Sequence, residues 1–409
     1  MKDRNTRVFL ELVRAGLWER DVELQDCGDI DFAEVFRLGE EQAVLGLVAA
    51  GLDHVKGQKP PKEEVLKVIG KMVQMEQRNS TMNRFIGELV SRMRKEGIYT
   101  LLVKGQGVAQ CYERPLWRSS GDIDFFLSDE NYAKADAYLQ TLASSVEKDM
   151  GGHHGMTIDG WVVELHNSLH GGISKRINRV LDKIKQESFY EGKVRSWMNG
   201  KVSVFLLSWE NEILYGFCHF LNHFYKGGLG LRQICDWCRL LWTYRSELDV
   251  KVIEARVNEM GLMSEWKAFG AFAVEYLDMP IEAMPLFDVR GKREEEKPLS
   301  GSPRGGERLG LRDGDGDGRG MMEDGRCMIS AKYKKKADKI LDFVMMAGNF
   351  GHNRDMSYQS KYPYVIRKFF SMRMRIIDLI RHSRIFPLDS LKFFPKIISD
   401  GVSSAIKGY

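Results

Sequence analysis

The chain has 409 residues, of which 43% are hydrophobic and 29% charged, and its formal net charge at pH 7 is +4. A chain of this length can hold a large core and two or three domains, and the composition is ordinary for a soluble globular protein. The sequence contains no run of about 18 apolar residues, and charges interrupt the apolar residues of its opening stretch, MKDRNTRVFLELVRAG. We therefore expect neither a membrane span nor a secretory signal.

The six cysteines are scattered along the chain. They lack the short, regular spacings of a small disulfide-rich scaffold, so a reducing compartment suits them better than an oxidising one. We expect a cytoplasmic protein.

The first part of the chain, residues 1–96, reads as a helical region. Apolar residues recur at helical spacing in FLELVRAGLW, in DFAEVFRLGEEQAVLGLVAAGL and in KMVQMEQRNSTMNRFIGELVSRMRKEG. The prolines Pro60 and Pro61 interrupt this pattern and separate the last helix from the others.

Residues 97–208 mix strand and helix signals. IYTLLV and GDIDFFL read as β-strands, and GQGVAQCY and DENYAKADAYLQTLAS read as helices. MTIDGWVVELH reads as a hairpin that turns at Asp159 and Gly160, because Asp-Gly is a strong hairpin signal. This density of elements predicts a small mixed β-sheet core.

Three further regions follow the sheet. Helices return in residues 209–287, whereas residues 288–330 are rich in Gly and charge and are predicted to form a flexible linker. Residues 331–409 regain helical spacing and carry 16 Lys and Arg against 6 Asp, so we expect a basic helical tail. The expected fold class is α+β, a small mixed β-sheet core flanked by N-terminal and C-terminal helical regions.

Two aspartates stand one residue apart in the predicted strand RSSGDIDFF. Alternate side chains of a strand share a face, so Asp122 and Asp124 project together while Ile123 and Phe125 point the other way. Burying unpaired carboxylates is costly. A bound cation would offset that cost, so the pair is a candidate metal site.

A third acid, Glu164, lies in the predicted strand WVVELH with His166 on the same face. Three carboxylates on neighbouring strands form an oxygen site of the kind that holds Mg²⁺. Two such ions about 4 Å apart stabilise the attacking and the leaving oxygen of a phosphoryl displacement. Upstream, LLVKGQG ends a strand in a Gly-containing turn before a short helix, where backbone N–H groups can cradle phosphates.

This order of parts resembles the nucleotidyltransferase fold shared by DNA polymerase beta-like enzymes and antibiotic nucleotidyltransferases. More closely, LLVKGQGVAQCYERPLWRSSGDIDFFL followed by WVVELHNSLH is similar to the bacterial uncharacterised nucleotidyltransferase family. That family's pattern is Leu-Lys-Gly, then Arg, then Gly-Asp-hydrophobic-Asp, then Glu or Asp, Leu and His. The likeness covers roughly residues 1–280 and is sharpest between Leu101 and His166.

The resemblance implies a catalytic metal site. It makes Asp122 and Asp124 metal ligands and Glu164 the third carboxylate, which aids a second metal ion or the acceptor hydroxyl. The implied cofactor is Mg²⁺, as two ions with the NTP. His166 shares the face of Glu164 and is expected to orient it or to contact substrate.

The resemblance also implies nucleotide-binding residues. Lys104, Gly105 and Gly107 occupy the turn, and Arg118 stands where a guanidinium can bind a phosphate bidentately. The wider superfamily usually has Gly-Gly or Gly-Ser in this turn, whereas this chain has Lys104-Gly105-Gln106. The departure leaves the exact phosphate contacts open.

Each of these patterns also has a structural interpretation. An Asp-Ile-Asp strand can be an edge that faces water. Lys104 can be a solvated strand end, and Arg118 is similar. His166 can be a structural histidine whose hydrogen bonds are satisfied within the fold.

Two histidine pairs have the spacing with which a helix presents two imidazoles to zinc: His166 with His170, and His219 with His223. Neither pair has an obvious third ligand nearby in the sequence, so we do not predict a zinc site.

Two further patterns invite a metal interpretation. Cys235 and Cys238 lie in an apolar helix without a second pair at zinc-finger spacing, so we predict core thiols. The stretch from Asp313 to Gly318 imitates the opening of a calcium loop. It lacks flanking helices and a glutamate at the twelfth position, and we interpret it as flexible polar sequence.

The basic tail has two interpretations. Its mixture of Lys and Arg with Phe, Met and Ile is typical of an amphipathic helix that lies on an anionic membrane or contacts nucleic acid. Most such helices instead pack their apolar face on the parent fold and leave the charges in water. The second interpretation is the default.

The function predicted from the sequence is that of a Mg²⁺-dependent nucleotidyltransferase. It would move a nucleoside monophosphate from an NTP to a hydroxyl acceptor, a small molecule, sugar or protein, and release pyrophosphate. The alternative is a catalytically inactive nucleotide-binding or helical scaffold protein of the same fold. The presence of all three costly acids favours the enzyme.

Overall fold

The computed structural model describes residues 3–24, 28–146, 153–286, 329–349 and 364–407. Most of the predicted linker, including the stretch from Asp313 to Gly318, lies outside the described residues. The helices are α1 Arg4–Trp18, α2 Phe32–Glu41, α3 Leu45–Leu52, α4 Lys62–Lys95, α5 Gly105–Ala109, α6 Asp129–Gln140, α7 Lys175–Tyr190, α8 Trp209–Lys226, α9 Leu231–Thr243, α10 Val250–Met260, α11 Met263–Leu277, α12 Ala331–Ala347, α13 Tyr364–Ser383 and α14 Pro387–Lys407. The strands are β1 Val22–Glu23, β2 Val55–Lys56, β3 Leu101–Val103, β4 Ile123–Phe126, β5 Ser145–Val146, β6 His153–Ile158, β7 Trp161–His166, β8 Val194–Asn199 and β9 Val202–Leu207.

Local sequence explains where the helices begin. The Oδ1 atom of Asp3 accepts the N–H of Thr6 at 2.9 Å and caps α1, and the Oγ of Ser128 caps α6 in the same way. The long helix α4 starts directly after Pro61, nine residues earlier than its apolar pattern predicts. Two glutamates in its first turn and three basic residues in its last turn complement the helix dipole.

Seven strands form one mixed sheet in the order β5-β6-β7-β4-β3-β9-β8. The pairs β7–β4 and β3–β9 are parallel, and the other neighbouring pairs are antiparallel. The predicted turn between β6 and β7 is present, and both Asp159 and Gly160 have positive φ, as a two-residue hairpin requires. The mixed sheet with its helices confirms the α+β fold class.

The two faces of the sheet bury different sets of helices. On one face Ile123 and Phe125 of β4 join an apolar cluster with residues of α4 and α6. On the other face Phe126 belongs to the larger cluster, which includes α7 and α8. Because side chains alternate along a strand, Asp124 shares the face of Phe126, on the side of α7 and α8.

The tail packs its apolar face on the helical region that follows the sheet. Leu379, Phe386 and Phe393 are buried in the cluster that also contains apolar residues of α8 and α11. These three residues pack as the default interpretation predicts, whereas Ile376, Ile380, Leu388 and Leu391 of the tail are exposed. Contact of the tail with nucleic acid or an anionic membrane stays a prediction. Within the described ranges, every helix is too short or too polar to cross a membrane.

Candidate active site

Asp124 and Glu164 lie side by side because β4 and β7 pair in parallel. The register places Asp124 opposite Glu164 and Phe126 opposite His166. His166 follows Glu164 by two residues and therefore shares its face. Two acids that are 40 positions apart in the sequence thus meet on one face of the sheet.

Asp124, Glu164 and His166 form a compact group of possible metal ligands. One ligand atom from each side chain lies within 4.8 Å of the others, and these residues form the one such group found in the described chain. The Nε2 atom of His166 lies 2.7 Å from Oδ1 of Asp124 and 3.4 Å from Oε2 of Glu164. Two carboxylates and an imidazole can hold a divalent cation.

Asp122 directly precedes β4 and lines the same cavity as the other two acids, outside the three-residue ligand group. Asp122 is exposed, but the surrounding cavity wall desolvates its carboxylate, and this desolvation, followed by the negative charge of Asp124, raises its pKa above the ordinary value. A cation bound between the acids would reduce their mutual repulsion. That Asp122 is itself a metal ligand stays a prediction.

Lys104 is the counter-ion of Asp124, with its Nζ atom 2.8 Å from Asp124 Oδ1. Burial opposes ionisation of Asp124, but the charge of Lys104 and the hydrogen bond from His166 outweigh it and lower the pKa of Asp124. The backbone of Lys104 has φ 60° and ψ −150°, a region that is almost restricted to glycine. Lys104 therefore holds a strained backbone conformation at the start of the turn.

The two glycines of the turn have different surroundings. Gly105 has φ 45° and lines the cavity. Gly107 is buried in α5, and a Cβ atom there would lie 2.8 Å from Cδ2 of Leu206 in β9. The structure thus gives Gly107 a packing role that the sequence did not indicate, while its contact with nucleotide stays a prediction.

Arg118 is held by a partner that the sequence analysis missed. Its Nε and Nη2 atoms each donate to one carboxylate oxygen of Asp236 at 2.7 Å, and the hydroxyl of Tyr112 donates to Oδ1 of the same carboxylate at 2.7 Å. The only signal for Asp236 was a lone acid in the apolar stretch QICDWCRLLW. The bidentate fork of Arg118 is thus occupied, and its predicted role in phosphate binding stays a prediction.

The backbone carbonyls of the loop before Asp122 accept hydrogen bonds from three side chains on two helices, α4 and α9. The carbonyl of Arg118 accepts a hydrogen bond from Nδ2 of Asn79 at 2.8 Å. The carbonyl of Ser119 accepts one from Nη1 of Arg232, also at 2.8 Å. Arg78 donates to the carbonyl of Ser120 at 2.6 Å and to that of Gly121 at 3.3 Å. A Cβ atom on Gly121 would meet nothing within 4 Å, so the backbone of this loop is open to a ligand.

A cavity of about 510 Å³ collects these groups. Its wall includes Lys104, Asp122, Asp124 and Glu164 on the sheet side and residues of α7, α8 and α9 on the other side. The volume is typical of a small-molecule site.

A family model described as an uncharacterised nucleotidyltransferase matches residues 28–278. The chain belongs to this family. No curated protein and no solved structure matches it. The region matched by the nucleotidyltransferase family contains the whole sheet and every residue of the cavity wall.

The remaining histidines and cysteines of these patterns contact groups within the fold. His170 pairs with Asp182 at 2.7 Å, and His219 and His223 contact each other through their Nε2 atoms at 3.1 Å. Among the described residues, no further metal-ligating side chains join either histidine pair to make a second ligand group. The two cysteines of the CDWC stretch are free and fully buried in the core, as predicted.

Proposed function

We propose that the protein is a Mg²⁺-dependent nucleotidyltransferase that moves a nucleoside monophosphate from an NTP to a hydroxyl acceptor and releases pyrophosphate. The observation that carries the proposal is the pairing of Asp124 with Glu164, beside His166, inside the cavity. Membership of the nucleotidyltransferase family supports the reaction class.

The donor set fits a hard divalent cation. We assign Asp122, Asp124 and Glu164 as its ligands, because carboxylate oxygens are the protein groups that Mg²⁺ prefers. When bound, the metal would neutralise charge on the triphosphate. His166 holds Asp124 in place through its 2.7 Å hydrogen bond. Burial disfavours a charged His166, but hydrogen bonds to Asp124 and Glu164 raise its pKa.

The positive groups of the cavity suit a triphosphate. Lys104 and Arg232 both line it, and the turn at Gly105 and the open backbone at Gly121 allow phosphate oxygens to approach. In the proposed reaction the acceptor oxygen forms a bond to the α-phosphorus. The bond between that phosphorus and the bridging oxygen breaks, and pyrophosphate leaves.

Glu164 is placed to act on the acceptor. Its side chain is 31% exposed, whereas that of Asp124 is 2% exposed. The more open carboxylate can meet an incoming hydroxyl and receive its proton. The greater exposure of Glu164 supports the second of the two roles that the resemblance implies for the third acid, action on the acceptor hydroxyl.

The proposal is tested by pyrophosphate release from each of the four NTPs with Mg²⁺ and a broad acceptor pool. We expect release with at least one NTP, and its loss in Asp124→Asn and in Glu164→Gln. The control is Glu88→Gln, since Glu88 lies on α4 away from the cavity. Equal pyrophosphate release by the native protein and Asp124→Asn would contradict the proposal.

One observation favours the alternative of an inactive nucleotide-binding or scaffold protein. The ammonium of Lys104 already contacts the carboxylate oxygen that a metal would use. In the enzyme, Lys104 must share Asp124 with the metal or move to the nucleotide phosphates. A protein that binds NTP but never turns it over would match the alternative. The cytoplasmic location and bacterial origin stay predictions.

A further inference from the structure

The cavity wall is divided by charge. Its acidic and basic side chains come mainly from the turn after β3, from β4 and β7, from the loop before β4, and from α8 and α9. A second part of the wall has apolar or uncharged polar side chains. We call it the neutral end, and it is formed by Ile173, Ile177, Leu181, His219, Asn222 and His223.

The neutral end is a continuous surface. The segment after β7 packs on the C-terminal half of α8, because Nζ of Lys226 donates to the carbonyl of Gly171 at 2.8 Å. A Cβ atom on Gly171 would lie only 3.0 Å from the side chain of Asn222. Helix α8 carries Glu212, which pairs with Arg195, in its first turn. The C-terminal half of the same helix carries the neutral-end residues His219, Asn222 and His223.

The two histidines of the neutral end are uncharged near neutral pH. Burial, and then the charge of Lys104, lowers the pKa of His219 well below its ordinary value and that of His223 to about 4. They are in contact at 3.1 Å, so one ring donates its Nε2–H to the other. The Nδ1 atom of His219 then faces a hydroxyl group as an acceptor or as a donor, depending on which ring donates through Nε2.

The neutral end adjoins the acid that would meet the acceptor. Glu164 and His166 line the cavity, and so do Ser168, Leu169, His170 and Gly171 of the segment that leads from β7 to Ile173. An acceptor lying against this segment would bring its hydroxyl to the Glu164 side of the acids. The triphosphate would lie at the charged part of the wall, beside Lys104.

We propose that the neutral end is the acceptor site and that the acceptor is a compact, uncharged hydroxyl compound with an apolar face, such as a sugar ring. The inference rests on the proposed function. None of the six side chains of the neutral end is charged, so a charged acceptor would be desolvated there without a direct partner. The cations near its histidines already have partners: Lys104 contacts Asp124, Arg232 donates to the carbonyl of Ser119, and Lys226 donates to that of Gly171. The cavity of about 510 Å³ must also hold part of the nucleotide, so the acceptor is small.

The test measures binding without turnover. Methyl glucoside, phenyl glucoside, glucosamine and glucuronate share one ring and differ in charge, and ligand-observed NMR gives their affinities for the full-length protein. We expect the uncharged glucosides to bind at least about tenfold more tightly than the charged sugars. His219→Phe should weaken glucoside binding about tenfold, whereas the same change at His54, which lies outside the cavity wall, should leave it unchanged.

Three outcomes would overturn the acceptor proposal: saturable binding by none of the uncharged probes, a preference for a charged sugar, or unchanged glucoside binding in His219→Phe. Transfer to an RNA or to a protein alone would also overturn it while leaving the proposed function intact. Conversely, glucoside binding in a protein that releases no pyrophosphate would contradict the proposed function and not the uncharged site. The two failures are therefore distinguishable.

Discussion

Lys104 Nζ lies 2.8 Å from Oδ1 of Asp124, the same oxygen that His166 contacts. The ammonium belongs to a residue of a strained turn, and its charge keeps the Asp124 carboxylate ionised. A buried charge pair of this kind is weak evidence for stability, because desolvation offsets much of its attraction. Because the pair of Lys104 and Asp124 lies beside Glu164, we attribute its presence to the function of the site.

Removal of one partner of this pair should cost more than removal of both. Asp124→Asn leaves the ammonium of Lys104 without its counter-ion, so we expect a loss of unfolding free energy of about 3 kcal/mol. Lys104→Met combined with Asp124→Asn should recover part of that loss. Urea unfolding of the two single variants and the double variant measures the coupling. Additive losses would contradict the pairing.

The backbone of Lys104 predicts an unusual order among its variants. Both Lys104→Gly and Lys104→Ala lose the ammonium, but only glycine adopts φ 60° and ψ −150° without strain. We expect the glycine variant to be the more stable by about 1–3 kcal/mol. Denaturant unfolding of both proteins tests this order, and a more stable alanine variant would show that the turn is not strained.

Arg78 should position the loop before Asp122. It donates to the carbonyls of Ser120 and Gly121 and lies over the ring of Trp161 at 4.9 Å. If the loop contacts phosphates, Arg78→Ala should weaken NTP binding by about tenfold. Arg84→Ala, on the same helix but away from the loop, is the control. Equal NTP affinity in the two variants would show that the loop does not contribute to NTP binding.

The buried Glu265 should make stability depend on pH. Burial, followed by the charge of Asp389, raises the pKa of Glu265 to about 7. The unfolded chain loses this proton near pH 4.5, earlier than the folded chain does, so unfolding free energy should fall as pH rises from about 4.5 to 7.

Glu265→Gln should remove that dependence. At pH 8 we expect the variant to be more stable than the native protein on the order of 3 kcal/mol, and at pH 4 the difference should largely vanish. Urea unfolding at the two pH values measures it. The opposite trend, with a native advantage that grows with pH, would show that Glu265 is stabilised as a carboxylate.

Local sequence patterns predicted the strands that build the site. The alternation in GDIDFFL and WVVELH, with the turn at Asp159 and Gly160, placed the acids on the correct faces. The hairpin of β8 and β9 was not predicted, although Gly200 stands first in its two-residue turn, with φ 61°, and a Gly at that position is a hairpin signal.

Pairings between distant residues could not be predicted from local patterns. The bidentate contact of Arg118 with Asp236 joins residues 118 positions apart. It depends on how α9 docks against the sheet, and no periodicity encodes that docking. The same holds for the bond between Arg78 and the loop before Asp122, and for the packing of Gly107 on Leu206.

The most direct test of the central claim follows the label of the NTP. The protein is incubated with Mg²⁺, an acceptor pool and an NTP that carries ³²P at either the α or the γ position. A nucleotidyltransferase must place the α label on the acceptor and release the γ label as pyrophosphate, and Asp124→Asn must do neither. Transfer of the γ label to the acceptor, or NTP binding without any labelled product, would contradict the account.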